Sequence, residues 1–219
     1  MSIDLVISAW ESINVAKRKE ASRPLQHETP GSGELILIRH APIAEPGRLC
    51  GRTDLPARIA PAPIAALRAA LPRPGQLVTS PAQRCRQTSE ALWPDIAARP
   101  DPLLWEQDFG SQDGLRIADL PDLGPLDGPD LALWTPPGGE SFSDLCARVG
   151  PALAGYGKAA ARIAAPVVLV VHAGVIRAAL SQLCAAPHAG LVFEIPTLSV
   201  TRLRCGAEGP FSVIEAGRT

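Results

Sequence analysis

The sequence predicts an α/β domain whose sheet is buried on both faces. Three short apolar runs predict it: Leu35–Ile38, Leu77-Val78 within Gln76–Thr79, and Val167–Val171. Each is continuous rather than alternating, the pattern of a parallel strand covered by helices on either side. Two of them stop abruptly on ionisable residues, the first at Arg39-His40 and the third at His172. Open α/β sheets hold their ligands at the carboxyl ends of such strands. A chain of 219 residues with 46% hydrophobic content has room for one such domain and an appendage.

Taken in order, residues 1–33 read as an N-terminal extension and residues 34–219 as the domain. Ile3, Val6, Ile7, Trp10 and Ile13 follow helical spacing, which predicts an amphipathic helix over residues 3–15. It makes a poor export signal, because Asp4 and Glu11 interrupt it and Lys17-Arg18-Lys19 follows the apolar part instead of preceding it. Residues 20–33 are polar and rich in Pro and Gly, a linker in which His27 reads as a solvated tail residue. After the first strand Pro42 ends regular pairing, having no N–H to give. A loop from Ile43 to Pro61 leads to a helix over Pro63–Leu71 and then to the strand Gln76–Thr79. Ser80 reads as an N-cap and Pro81 as the first helical residue, which places Arg84 in the first turn. Alone, Arg84 and Arg86 are two solvated helix arginines; at a helix N-terminus behind a strand end, Arg84 strengthens an existing preference for anions.

Leu115–Thr135 is acidic and turn-rich, a segment suited to capping a site. Ser141 N-caps a helix of about 20 residues, with Asp144 in its first turn. Val175–Leu183 reads as helix and His188 as a surface loop residue. Leu191–Ile195, Ser199–Leu203 and Phe211–Ile214 read as the last strands.

Composition excludes several classes. A formal net charge of −1 points neither to nucleic acid nor to an acidic membrane surface. No apolar run approaches a membrane span of about 20 residues. The five cysteines are scattered without a C-x-x-C, which predicts reduced thiols in the cytoplasm and neither a disulfide frame nor a zinc site. Only Lys17, Lys19 and Lys158 are lysines, so no phosphate-binding G-K-[ST] loop exists.

Five motifs in fixed order resemble the histidine phosphatase superfamily, also called phosphoglycerate-mutase-like. They are Leu37-Ile38-Arg39-His40; Ser80-Pro81 with Arg84 and Gln87-Thr88; Leu104 to Gly110 with Gly114; Pro137-Gly138-Gly139-Glu140-Ser141; and Val167–Val171 running into His172 to Arg177. Together they span roughly residues 34–205. The resemblance implies a three-layer α/β/α sandwich with a mostly parallel sheet and one antiparallel strand. It implies a phosphomonoesterase that acts on a small phosphorylated metabolite through a phosphohistidine.

A transferring phosphoryl group carries negative charge on its equatorial oxygens, so its catalysis rests on positioned cations. On the family's positions Arg39, Arg84 and a protonated His172 would bind the phosphate, and His40 would be the nucleophile. No carboxylate cluster with metal spacing lies near these histidines, so neither a metal nor another cofactor is expected. His40 must attack through a neutral nitrogen, so its other ring nitrogen should donate to a backbone carbonyl. Glu106, on the family's acid position, would protonate the leaving oxygen and then activate water. Phosphate nearby would raise its pKa. Asp108 is the competitor, though a loop-structuring role suits it better, as a turn and cap role suits Glu140. The chain has Ala41 where the family has glycine, and its backbone N–H still offers an anion contact.

Two rival functions remain open at this level: a cofactor-dependent phosphoglycerate mutase, and a non-catalytic phosphate-binding module. A mutase needs further cations after the acid loop, where this chain offers Arg116 and then four aspartates. The loop Pro46–Pro56, ending Gly51-Arg52-Thr53-Asp54-Leu55-Pro56, resembles that of α-ribazole phosphatases of cobalamin assembly. A small phosphate monoester is the only partner implied, and oligomeric state is not legible.

Overall fold

A computed structural model describes residues 32–219. The helix expected over 3–15, the linker up to residue 31 and His27 lie outside the described residues. The strands are β1 (Gly33–Arg39), β2 (Gln76–Thr79), β3 (Arg99–Pro100), β4 (Val167–Val171), β5 (Val200–Gly206) and β6 (Gly209–Arg218). They form one sheet in the order β3-β2-β4-β1-β5-β6. The pairings β3–β2, β2–β4 and β4–β1 are parallel. β5 is antiparallel to both β1 and β6, so it alone runs against the rest.

The helices are α1 (Pro61–Ala70), α2 (Gln83–Leu92), α3 (Gly128–Leu133), α4 (Phe142–Ala160) and α5 (Ala173–Leu183). Alternation along the central strands sorts them into two outer layers. Leu35 and Leu37 of β1, with Val167, Leu169 and Val171 of β4, pack against Leu145, Val149 and Leu153 of α4 and Val175 and Ile176 of α5. Ile36, Ile38, Val168 and Val170 face the other way, onto Ile64 of α1 and Cys85 and Leu92 of α2. Both faces are therefore apolar, and the strands read as unbroken hydrophobic runs.

Several elements differ from expectation. α1 begins two residues early, with Pro61 at its first turn, where a missing N–H costs nothing. α2 begins at Gln83, not Pro81, because Ala82 is still extended (φ −54°, ψ 136°). The hydroxyl of Ser80 consequently accepts from the Ala82 N–H (3.3 Å) instead of capping the helix. Leu191–Ile195 is not a strand: Pro187–Val192 forms a 3₁₀ helix that leaves Val192 79% exposed. Gly33, assigned to the linker, opens β1. The Ser141 cap is present as a full capping box, with the Ser141 Oγ accepting from the Asp144 N–H and Asp144 from the Ser141 N–H, both at 3.0 Å.

All five cysteines are free thiols. Among the described residues no helix is long and apolar enough to cross a membrane. Nor does any group of three or more His, Cys, Asp or Glu among them suit a metal ion.

Candidate active site

β1 and β4 are parallel neighbours in register, Arg39 opposite Val171. Their carboxyl ends therefore leave the sheet together, which brings His40 and His172 to 5.3 Å between ring centroids, inclined at 68°. Each ring is locked by a neighbour with one fixed hydrogen-bonding role. The carbonyl of Ala41 can only accept, so His40 Nδ1–H donates to it (2.7 Å) and Nε2 keeps a free lone pair. The guanidinium of Arg84 can only donate, so His172 Nδ1 accepts from Arg84 Nη2 (3.2 Å) and Nε2–H donates to Ser80 Oγ (2.8 Å).

Both imidazoles are neutral. Burial, then the charges of Arg84 and Arg39, push the His40 pKa down to about 3, against the pull of the Ala41 carbonyl. Burial and Arg84 likewise hold His172 well below its ordinary value. The sequence expectation of a protonated His172 meets an opposing influence here, because burial of the ring and the neighbouring Arg84 guanidinium both favour its neutral form.

Arg84 is fully buried. Nη1 donates to the Thr53 carbonyl (3.1 Å), and Nη2 to those of Cys50 (3.1 Å) and Gly51 (2.9 Å). The loop supplying these carbonyls is gripped from its other side by Asp113, which accepts from the N–H groups of Gly51 (2.9 Å), Arg52 (2.5 Å) and Thr53 (3.0 Å). Arg84 and His172 therefore form a layer behind His40. Arg39 lies forward: its Nη1 donates to the Ile195 carbonyl (2.5 Å), and its buried Nε has no partner. Burial also lowers the Arg39 pKa, against the charge of Glu106. Ala41 has no left-handed backbone angle, but its N–H donates to Thr88 Oγ1 (2.9 Å). The N–H expected to meet an anion is thus already engaged.

Glu106 is buried, and its carboxylate sits on the N-terminus of α5. Oε2 accepts from the Gly174 N–H and Oε1 from the Gln107 N–H, both at 3.1 Å. A Cβ on residue 174 would come within 2.3 Å of Oε1, so this approach depends on glycine. The loop before Gln107 is tied down by Arg148, whose Nη2 reaches the Trp105 (3.1 Å) and Glu106 (3.2 Å) carbonyls and pairs with Glu140 (2.6 Å). Asp108 accepts from the Gly110 N–H (2.9 Å) within its own turn.

Arg39, His40, Glu106 and Gly174 line one cavity of about 440 Å³, walled by Phe109, Phe142, Ile117, Leu191, Arg177 and the loop from Pro46 to Cys50. Arg84 and His172 do not line it. Sequence reasoning missed Asp113, Arg148 and Gly174, and it assigned Arg177 no role. Asp113 stands beside a glycine the acid-loop motif includes, which was a usable signal. Gly174 stands inside the motif that follows β4, which was a signal too, whereas Arg148 acts through contacts distant in sequence, for which a single chain carries none.

The family profile of the histidine phosphatase superfamily, branch 1, matches residues 35–215. Among solved structures, a mycobacterial glucosyl-3-phosphoglycerate phosphatase in its native form is 25% identical, covering 86% of this chain and 100% of its own, at a TM-score of 0.73. The same mycobacterial protein complexed with VO3 is 26% identical over 85% of this chain and 100% of its own, at a TM-score of 0.74. The protein TTHB049 from Thermus thermophilus is 30% identical, covering 85% of this chain and 99% of its own, at a TM-score of 0.63. No curated protein sequence matches the chain significantly.

Proposed function

The chain belongs to the histidine phosphatase superfamily and is a phosphoric monoester hydrolase, and from that premise we propose that it dephosphorylates a small metabolite through a phosphohistidine on His40. The observation that carries this reading is the His40 ring itself. Its Nδ1–H is held by the Ala41 carbonyl, which leaves Nε2 unprotonated, and the ring lines the same cavity as Arg39 and Glu106.

In the proposed first step the Nε2 lone pair forms a bond to phosphorus as the ester P–O bond breaks. Glu106 gives its proton to the departing oxygen. In the second step the Glu106 carboxylate takes a proton from water, water oxygen bonds to phosphorus, and the P–N electrons return to Nε2. Arg39 contacts the phosphate, with a planar fork suited to two oxygens. Arg84 lends its charge from the layer behind, where little water screens it, and the His172 ring adds its polarity from the same layer. No step calls on a metal or cofactor.

Two substrates suit this reading: α-ribazole 5′-phosphate, from the likeness of the loop around Gly51, and a glucosylated phosphoglycerate, the substrate named for the mycobacterial relative. The free thiols suit a reducing compartment, and we place the protein in the cytoplasm. The test is a rapid-quench experiment with a radiolabelled phosphate ester. It should trap an acid-labile, base-stable label on the protein that is absent from His40→Ala. Full labelling of His40→Ala would end the assignment.

A further inference from the structure

We propose that Arg177 forms a second anionic subsite in the cavity, and that the substrate is a phosphomonoester whose alcohol portion carries a carboxylate. The proposal rests on the hydrolase reading above and narrows it to a substrate class.

Three arginines line the cavity: Arg39, Arg48 and Arg177. Arg39 stands beside His40 and is committed to the transferring phosphate. Arg48 has its own counter-ion, Glu45, at 2.8 Å. Arg177 has none: among the described residues no carboxylate lies within 4.0 Å of it. Among the described residues the one acid lining the cavity is Glu106, and both its oxygens are taken by backbone N–H groups. Arg177 leaves α5 one turn after Gly174, half-buried, and its Nε donates to the Phe193 carbonyl at 3.0 Å. That bond holds the guanidinium in place, and among the described residues the terminal nitrogens of this cavity-lining side chain have no hydrogen-bond partner.

Two like charges in one partly dry cavity repel, and the basicity of Arg39, lowered chiefly by burial, is lowered further by Arg177. A phosphate at His40 answers Arg39 and Arg84. It leaves Arg177 over, one charge with a fork whose geometry matches a carboxylate. A second phosphate dianion would need a further unpaired cation, which the cavity lining does not offer. Phe109, Phe142 and Leu191 give the same cavity apolar walls that suit a carbon skeleton.

The test compares phosphate release from 3-phosphoglycerate and from glycerol 3-phosphate, a pair differing in a carboxylate against a hydroxymethyl group. p-Nitrophenyl phosphate reports that the chemistry is intact. The wild-type protein should prefer 3-phosphoglycerate in kcat/KM by roughly tenfold or more, the range of a charge-assisted hydrogen bond. Arg177→Met should bring that ratio close to one, and Arg177→Lys, which keeps the charge without the fork, should fall between. Absence of a preference in the wild type overturns the proposal. So does an Arg177→Met protein that loses rate equally on all three esters, since Arg177 would then only hold the Phe193–Ile195 segment against Arg39. Release of no phosphate from any ester, p-nitrophenyl phosphate included, would instead defeat the hydrolase reading.

Discussion

The two site histidines carry their protons on opposite nitrogens, and in each case one neighbour decides it. Ala41 offers His40 only a carbonyl, and Arg84 offers His172 only donors. Burial keeps both rings neutral, which has a consequence for stability. In the unfolded chain each imidazole takes up a proton as pH falls through about 6.5, whereas the folded rings do not until far lower, near pH 3 for His40. Below pH 6.5 the unfolded state therefore binds more protons, and stability falls as pH drops. The slope is about 1.4 kcal/mol per pH unit for each histidine. Urea unfolding between pH 7.5 and 5, above the carboxylate range, should show the decline, and His40→Ala should remove about half of it. A flat profile would mean the rings are not held neutral.

Glu106 allows a second test at the residue scale. An alkoxide leaves phosphorus badly unless it is protonated, while p-nitrophenolate leaves as a stable anion. Glu106→Gln keeps the shape but cannot give up a proton. It should slow phosphoenzyme formation from an alkyl phosphate by roughly 10²–10⁴-fold, and from p-nitrophenyl phosphate much less. Breakdown should slow for both, so p-nitrophenol should appear as a burst followed by slow turnover. Equal losses in the first step would transfer the acid role to Asp108.

At the scale of elements, the site is built where a helix N-terminus meets a loop carboxylate. α5 starts directly after His172, and its first turn presents the Gly174 N–H to Glu106. The positive end of the helix also holds the carboxylate by its dipole. Gly174→Ala should therefore act on chemistry before it acts on folding. The new methyl overlaps Glu106 Oε1 and approaches Leu145 Cδ2 (2.9 Å), which costs packing energy, while alanine favours the helix by roughly 1 kcal/mol over glycine. The expected result is a midpoint of urea unfolding close to wild type, with alkyl phosphate turnover down roughly tenfold or more and a smaller loss on p-nitrophenyl phosphate. A variant with unchanged rates on both esters would show that Glu106 needs no such seat.

For the molecule as a whole, every residue given a catalytic or anion-binding role lies within residues 39–177, on the sheet, its helices and the loops that join them. Residues 1–31 supply none of them. A protein starting at residue 32 should turn over p-nitrophenyl phosphate within about threefold of the full chain, or about 0.7 kcal/mol in barrier. A truncated protein that folds, by circular dichroism, yet loses most of its rate would make the N-terminal segment part of the site.

The sequence by itself determined the two central strands and the edge at which the candidate site lies. Leu35–Ile38 and Val167–Val171 are apolar on both faces, so they had to be central strands, and Arg39-His40 and His172 had to emerge at their ends. Local chemistry was legible for the same reason: the Ser141–Asp144 cap spans three residues, and capping depends on nothing farther away. Only the tertiary structure decided which site residues face the cavity. Arg84 is on the family's phosphate position, yet its guanidinium lies behind His40, because loop carbonyls 31 to 34 residues away bind it and Asp113 holds that loop. The neutrality of His172, the seat of Glu106 on Gly174 and the lack of a carboxylate partner for Arg177 among the described residues have the same origin. Each depends on which groups surround a side chain after distant segments pack together, and burial and charge at that range leave no periodic trace in the sequence.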